Sequence, residues 1–472
     1  MPPTRTPVRR RALLCALALT LAGCGGAGGG EPAPAEGAKG ATTDSAAAAE
    51  RARADSAARF QARFGNRVPR PDSVRALYVN AWAAGSRSRM RELIRVADET
   101  EINAFVIDIK ESDTYLTHDS TAIPLAKEIG ADQRPGSKWL PALVDTLRAH
   151  GIYPIARIVV FKDRMLAEKK PDMAIRSTSG GTWLDQKGKP WVNPYDRRVW
   201  DYNIAIAREA LDMGFAEVQW DYVRFPDVTE SMRRTMAFPG AGEKSRADNI
   251  HDFIVYSKQR LAEYQVPVTA DVFGLVTHLE GDVGIGQNWE KVITAADAVL
   301  PMVYPSHYYA GMYGFQRPNA HPYELVRVSM QDAVERTRLV QAEGKKTGEI
   351  VPWLQAFTAD YLRDGITYGA GHVRNQIQAT YDAGLKSWVL WNPGSNYQVY
   401  YAALRPRDGS PSPLERGGWR PVRWEVPRGR LNKVVRQREA AERAAKAAQD
   451  SAARTGGAQP RPAAGPATKT GG

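Results

Sequence analysis

The 472-residue chain is 43% hydrophobic and contains 12 Trp, enough to bury a full-sized core, which excludes a disordered or fibrous protein. Its only cysteines, Cys15 and Cys24, lie near the N-terminus, which excludes a disulfide scaffold and a Cys-based zinc site. The net charge of +12 sits at the ends: residues 1–67 hold ten Lys/Arg against five Asp/Glu and residues 401–472 fifteen against six, leaving the middle with 39 against 41, so nucleic acid is not an expected partner.

Arg9, Arg10 and Arg11 precede an apolar run at 12–22, the pattern of a secretory signal too short to stop in a bilayer. The run closes with LAGC (21–24), which resembles the bacterial lipoprotein cleavage box. That resemblance implies a signal peptide at 1–23, a lipid-modified Cys24 and an extracytoplasmic protein anchored to a membrane. Gly25 rather than Asp after the cysteine favours the outer membrane in a two-membrane bacterium. Residues 24–72 are rich in Gly, Ala, Pro and charge, and are expected to form a disordered tether.

From 73 to 401 short β-rich runs alternate with helical stretches. The runs are 75–82, 104–111, 153–161, 217–226, 266–275, 298–308, 349–357 and 387–394, and the helical stretches include 88–100, 140–150, 196–213, 246–264, 324–343 and 372–383. Several helices stop at a glycine before the next strand, as at Gly151, Gly214, Gly344 and Gly384. Eight such units predict an α/β fold, a (β/α)8 TIM barrel, rather than an open doubly wound sheet. Residues 402–472 read as a basic extension, a solvated helix followed by a low-complexity tail.

In such a barrel the chemistry belongs at the C-terminal strand ends, and residues two apart share a strand face. Asp221 shares a face with Gln219, and Asp271 with Thr269 and Phe273. Asp108 is grouped with Lys110, and Glu111 falls at the strand exit. The other ends supply Asn80 and Trp82, Arg157, Tyr304 with Ser306 and His307, Trp353 and Gln355, and Trp391 with Asn392. Carboxylates in a ring of Trp and Tyr suit stacking on sugar faces and hydrogen bonds to hydroxyls.

The runs VIDIKE (106–111), QWDYVRFP (219–226), ADVFG (270–274), PMVYPSHY (301–308), PWLQ (352–355) and VLWNP (389–393) together resemble the bacterial putative glycosyl hydrolase domain family, a TIM-barrel family. The resemblance covers about residues 74–401 and implies cleavage of a glycosidic bond, which calls for two flanking carboxylates. By similarity to retaining barrels whose nucleophile ends the fourth strand, Asp221 is the nucleophile or charge stabiliser; Asp271, ending the adjacent fifth strand and so close enough to share a sugar ring, is the acid, and Glu111 on the second strand is the reserve acid. Arg224 is expected to pair with Asp221, either to keep it charged or as a purely structural salt bridge. Asp108 and Lys110 form a buried ion pair or, for Lys110, a substrate contact. Trp82, Arg157, Tyr304, His307, Trp353, Gln355 and Trp391 complete the substrate-binding set, with His307 and the tryptophans open to a packing role.

The seventh strand lacks a carboxylate before Asp360, which departs from barrel hydrolases that pair strands four and seven. A non-catalytic carbohydrate-binding lipoprotein on the same barrel is therefore the rival reading. A deacetylase or lyase would need a metal or a tyrosine/histidine base that cannot be assembled. No cofactor or metal is expected, since the seven histidines show no HxH or HExxH spacing. A calcium site at Glu111, Asp113 and Asp119 is the minor alternative.

Overall fold

The computed structural model describes Gln61, residues 64–111 and residues 115–455. The signal segment, Cys24, nearly all of the tether, Asp113 and the terminal low-complexity stretch lie outside the described residues.

The staves are β1 (Arg75–Val79), β2 (Ala104–Lys110), β3 (Tyr153–Val159), β4 (Glu217–Asp221), β5 (Val268–Phe273), β6 (Ala298–Met302), β7 in two pieces (Glu349–Ile350 and Trp353–Gln355) and β8 (Trp388–Trp391). All neighbours pair in parallel from β1 to β8, and β8 returns to β1 through Arg75↔Trp388. The result is a closed (β/α)8 TIM barrel. Pro352 splits β7 because it has no N–H to give the ladder. Its first piece follows β6 at Ala298↔Glu349, and its second follows β8 at Trp353↔Val389 and touches β6 again at Trp353↔Met302.

Outside the staves lie α1 (Arg87–Glu99), α2 (Leu140–Ala149), α3 (Arg197–Asp212), α4 (Arg246–Arg260), α5 (Trp289–Ala295), α6 (Pro322–Ala342) and α7 (Ala370–Asp382). Amphipathic spacing explains their seating. In α3, Val199, Trp200, Ile206, Ala207, Ala210 and Leu211 form one buried stripe, and Asp196 caps the first turn by accepting from the Arg198 N–H. Met213 then closes the helix onto Gly214, whose φ of 106° suits glycine alone and turns the chain into β4.

The barrel interior is packed rather than hollow. Ala76, Tyr78, Val106, Ile155, Leu300, Trp353 and Val389 point inward from different staves into one buried cluster. That inward face carries polar side chains at both ends, and these decide where chemistry is possible.

Two segments differ from the sequence expectation. The first run ends at Val79, because Asn80 caps a short helix (Ala81–Gly85) through its side chain, and Trp82 leaves the strand with it. The C-terminal extension is not wholly solvated: Leu431 and Val435 pack against Leu325 and Val328 of α6. Asn432 locks the junction, donating its N–H to Asp332 at 2.7 Å, before a last helix, α8 (Lys433–Thr455). Composition hid this docking, because a few apolar side chains in an Arg-rich stretch suffice to seat it.

Candidate active site

The C-terminal ends of β3 to β8 enclose a cavity of about 350 Å³. At its floor four inward side chains meet. Arg157, from β3, donates through Nη1 to Asp108 of β2 and through Nη2 to Asp221 of β4. Its Nε lies 3.8 Å from Oδ2 of Asp271 on β5. One guanidinium thus touches the carboxylates of three staves, and two of these, Asp221 and Asp271, line the cavity. Both acids thus lie against the same small group, side by side as two carboxylates acting on one linkage must.

Register explains the convergence. Arg157 is opposite both Asp108 and Gln219, and Gln219 is opposite Thr269, so every second residue of β2 to β5 faces inward at matched heights. Asp271 is 1% exposed and is held by two donors on one oxygen, the Gln219 amide at 2.8 Å and the Trp353 indole at 2.8 Å. Burial, reinforced by the charge of Asp221, raises its pKa well above the usual carboxylate range despite the opposing pull of Arg157. A raised pKa is the direction in which a general acid must be shifted.

Asp108 lies deeper and does not line the cavity. Burial raises its pKa as well, and it accepts from the Tyr78 hydroxyl and from Arg157. It orients Arg157 rather than meeting a ligand. Tyr78 escaped the sequence reading, although it lies on the inward face of β1 opposite Val106, one pair below the polar layer.

Several predicted site residues are elsewhere. Lys110 faces away from the cavity: a bulge between Asp108 and Lys110 inserts Ile109 and turns Lys110 outward, where it donates to Asp163 at 2.6 Å and sits 5.3 Å from the Tyr202 ring of α3. The expected Asp108–Lys110 pair is replaced by Asp108–Arg157 and Lys110–Asp163. Glu111, at the strand exit, is near enough for its charge to act on Asp108 but is not part of the cavity wall, so the structure does not bring it to the acids there. Gln355 is consumed by main chain, accepting from the Ser306 N–H at 3.0 Å and donating to the Phe357 carbonyl at 3.1 Å. Trp82 is 71% exposed on its short helix and outside the wall.

Arg224 lines the cavity but does not bond Asp221, whose partner is Arg157. The strand stops at Asp221 and Tyr222 takes a φ of 48°, so Arg224 lies in the loop beyond the stave rather than paired with Asp221. Trp353 offers its indole edge to Asp271 and is buried, so it acts as a donor rather than an open stacking face. Tyr304, His307 and Trp391 do line the wall. The Tyr304 and Trp391 rings stack at 5.2 Å, and His307 accepts or donates with the Ser306 hydroxyl at 3.1 Å. Burial lowers the pKa of His307, favouring the neutral imidazole. Among the described residues no group of three or more His, Cys, Asp or Glu could hold a metal ion.

A sealed barrel whose C-terminal cavity pairs two aspartates under an aromatic wall defines a (β/α)8 enzyme of the glycoside hydrolase type. The family model described as "Putative glycosyl hydrolase domain" matches residues 76–397, and the chain belongs to that family.

Among solved structures the chain is similar to a hypothetical protein from Ruminiclostridium thermocellum, at 37% identity over 42% of this chain and 97% of that one, with a TM-score of 0.38. It is also similar to the PgaB (BpsB) glycoside hydrolase domain from Bordetella bronchiseptica, at 13% identity over 71% and 99% of the two chains and a TM-score of 0.49. The Bacillus megaterium spore cortex-lytic enzyme SleL aligns at 11% identity over 71% and 74%, with a TM-score of 0.40. No curated protein matches the sequence.

Proposed function

We propose that this chain cleaves a cell-wall or extracellular polysaccharide by a two-carboxylate mechanism, Asp271 giving its proton to the glycosidic oxygen while Asp221 attacks or stabilises the sugar cation on the opposite side. The observation that carries this reading is the placement of both acids on one guanidinium and in one cavity, with burial shifting the Asp271 pKa upward. Arg157 holds Asp221 in place and supplies the charge that it faces. Tyr304 and Trp391 form the wall on which a sugar ring can stack.

The test is a panel of cell-wall and exopolysaccharide fragments with reducing-end detection. Turnover by the wild type, lost in both Asp221→Asn and Asp271→Asn, is expected, and full turnover by either variant removes the assignment. The carbohydrate-binding alternative draws on one observation, the direct engagement of Asp221 by Arg157. It would be adopted if the wild type binds fragments of the panel and releases no reducing ends.

The same reading places the enzyme outside the cytoplasm, held to a membrane of the cell envelope through lipidated Cys24 and spaced from it by residues 24–72. Several acyl chains at about 0.8 kcal/mol per buried methylene would make that anchor firm. Cys24→Ala is expected to move the protein from the membrane fraction to the soluble one, and continued membrane retention would end the anchor proposal.

A further inference from the structure

Beside the two acids the cavity wall contains a cation that the mechanism leaves unused. Arg224 is 7% exposed and lines the cavity, yet no carboxylate lies within ion-pair distance of it among the described residues. Its Nη1 donates to the Phe225 carbonyl at 3.0 Å. A guanidinium has five donors, so most remain for a ligand. Burying such a group without a direct ion pair is costly, and a ligand carboxylate would supply one.

The surroundings are built for that purpose. The Arg224 guanidinium carbon lies 4.4 Å from the Phe273 ring centroid, 4.7 Å from Tyr222 and 5.3 Å from Trp191. Lys162 approaches the same Tyr222 ring at 4.7 Å and likewise has no ion-pair partner among the described residues. Tyr222 itself is a non-glycine residue at φ 48°, a conformation costing about 1–3 kcal/mol that the surrounding packing must hold. Three acids share the cavity with it: Asp221 is bonded to Arg157, Asp271 to Gln219 and Trp353, and the exposed Asp227 stands at the rim, with Asp221 and Asp227 near enough to act on the Arg224 charge without pairing with it.

We propose that Arg224, seated on Tyr222 and Phe273 of the cavity wall and reinforced by the charge of Lys162 outside that wall on the same Tyr222 ring, forms a subsite for a carboxylate-bearing sugar, so that the glycan acted on is acidic. This rests on the hydrolase reading for the word "acted" but not for the binding itself. The planar fork of Arg224 matches both oxygens of a uronate, and Tyr222 and Phe273 give the same stretch of cavity wall aromatic surface beside it.

The probes are D-glucuronate and its neutral analogue D-glucuronamide, titrated by NMR into the wild type, Arg224→Gln, Arg224→Lys and Lys162→Gln. The wild type is expected to prefer glucuronate by about tenfold or more, as a charge-assisted hydrogen bond implies. Arg224→Gln removes that preference, Arg224→Lys keeps part of it, and Lys162→Gln reduces it by a smaller factor. Equal binding of the two sugars by the wild type, binding of neither, or a preference that survives in folded Arg224→Gln overturns the subsite. The wild-type comparison decides even if Arg224→Gln fails to fold. Since the readout is binding, loss of the hydrolase reading through active Asp221 or Asp271 variants would leave this result standing, and the converse also holds.

Discussion

Glu217 and Asp221 stand on the same inward face of one stave, at opposite ends of the barrel, and their fates differ. At the lower end Glu217 accepts from Arg70 at 3.2 Å, the Tyr153 hydroxyl at 3.1 Å and the Thr269 hydroxyl at 3.2 Å, and Arg70 also pairs with Glu349 at 2.8 Å. Protein groups occupy the acceptor sites of that carboxylate, and it works as a plug. At the upper end Asp221 meets Arg157 and its own following N–H, and its remaining side opens on the cavity. Equal burial therefore does not imply equal function: what separates a structural acid from a reactive one is whether the protein has used up its lone pairs.

The strongest way to break this contrast is to neutralise each end. Asp221→Asn and Asp271→Asn are expected to lower kcat/KM by at least about 4 kcal/mol, roughly a thousandfold, with melting close to wild type. Glu217→Ala should do the reverse, costing about 2 kcal/mol of stability through the stranded Arg70 and Tyr153 while leaving KM unchanged in the folded enzyme. Activity assays beside denaturant titrations check both, and a Glu217 variant that is stable but inactive would dissolve the distinction.

Arg157→Gln probes the hub of the upper end. It leaves Asp108 and Asp221 without their cation and is expected to cost about 3 kcal/mol of stability as well as most of the activity. Unchanged melting would mean that the three acids do not depend on it.

A subtler effect concerns the proton on Asp271. Activity needs the protonated acid, so the alkaline limb of the pH profile should lie well above the ordinary carboxylate range. The Trp353 bond favours the charged form, so Trp353→Phe should move that limb to still higher pH. A limb that stays put, or moves down, contradicts the role given to Trp353.

The smallest expected effect is on stability against pH. Burial raises the folded-state pKa of Asp108 and Asp271 above the unfolded value of about 4, so their stabilising contribution is complete below that pH and is lost as pH rises through the folded values. Denaturant midpoints should therefore decline from mildly acid toward alkaline pH, and replacing Asp271 by Asn should flatten the slope.

How much of this was legible depends on the regularity of each strand. Asp221 and Asp271 could be placed on one face because β4 and β5 run without interruption to their ends. Lys110 could not, because one inserted residue reverses the alternation beyond it, and nothing in VIDIKE announces a bulge. Arg224 is expected beside Asp221 from a spacing of three residues, but the stave ends at Asp221 and such a spacing fixes no pairing in the loop that follows. Trp353 and Gln355 share a stave but differ in partners, which lie across the barrel on β5 in one case and in loops in the other.

Alternating runs, glycine stops and strand-end acids specify a (β/α)8 barrel and the end at which it reacts, because periodicity and turn chemistry are local properties of the chain. Which acid faces a free cavity, which cation holds it and which cation is left without a partner were settled only when distant staves came into register. Those relations depend on distances between residues far apart in sequence, and no local pattern encodes them.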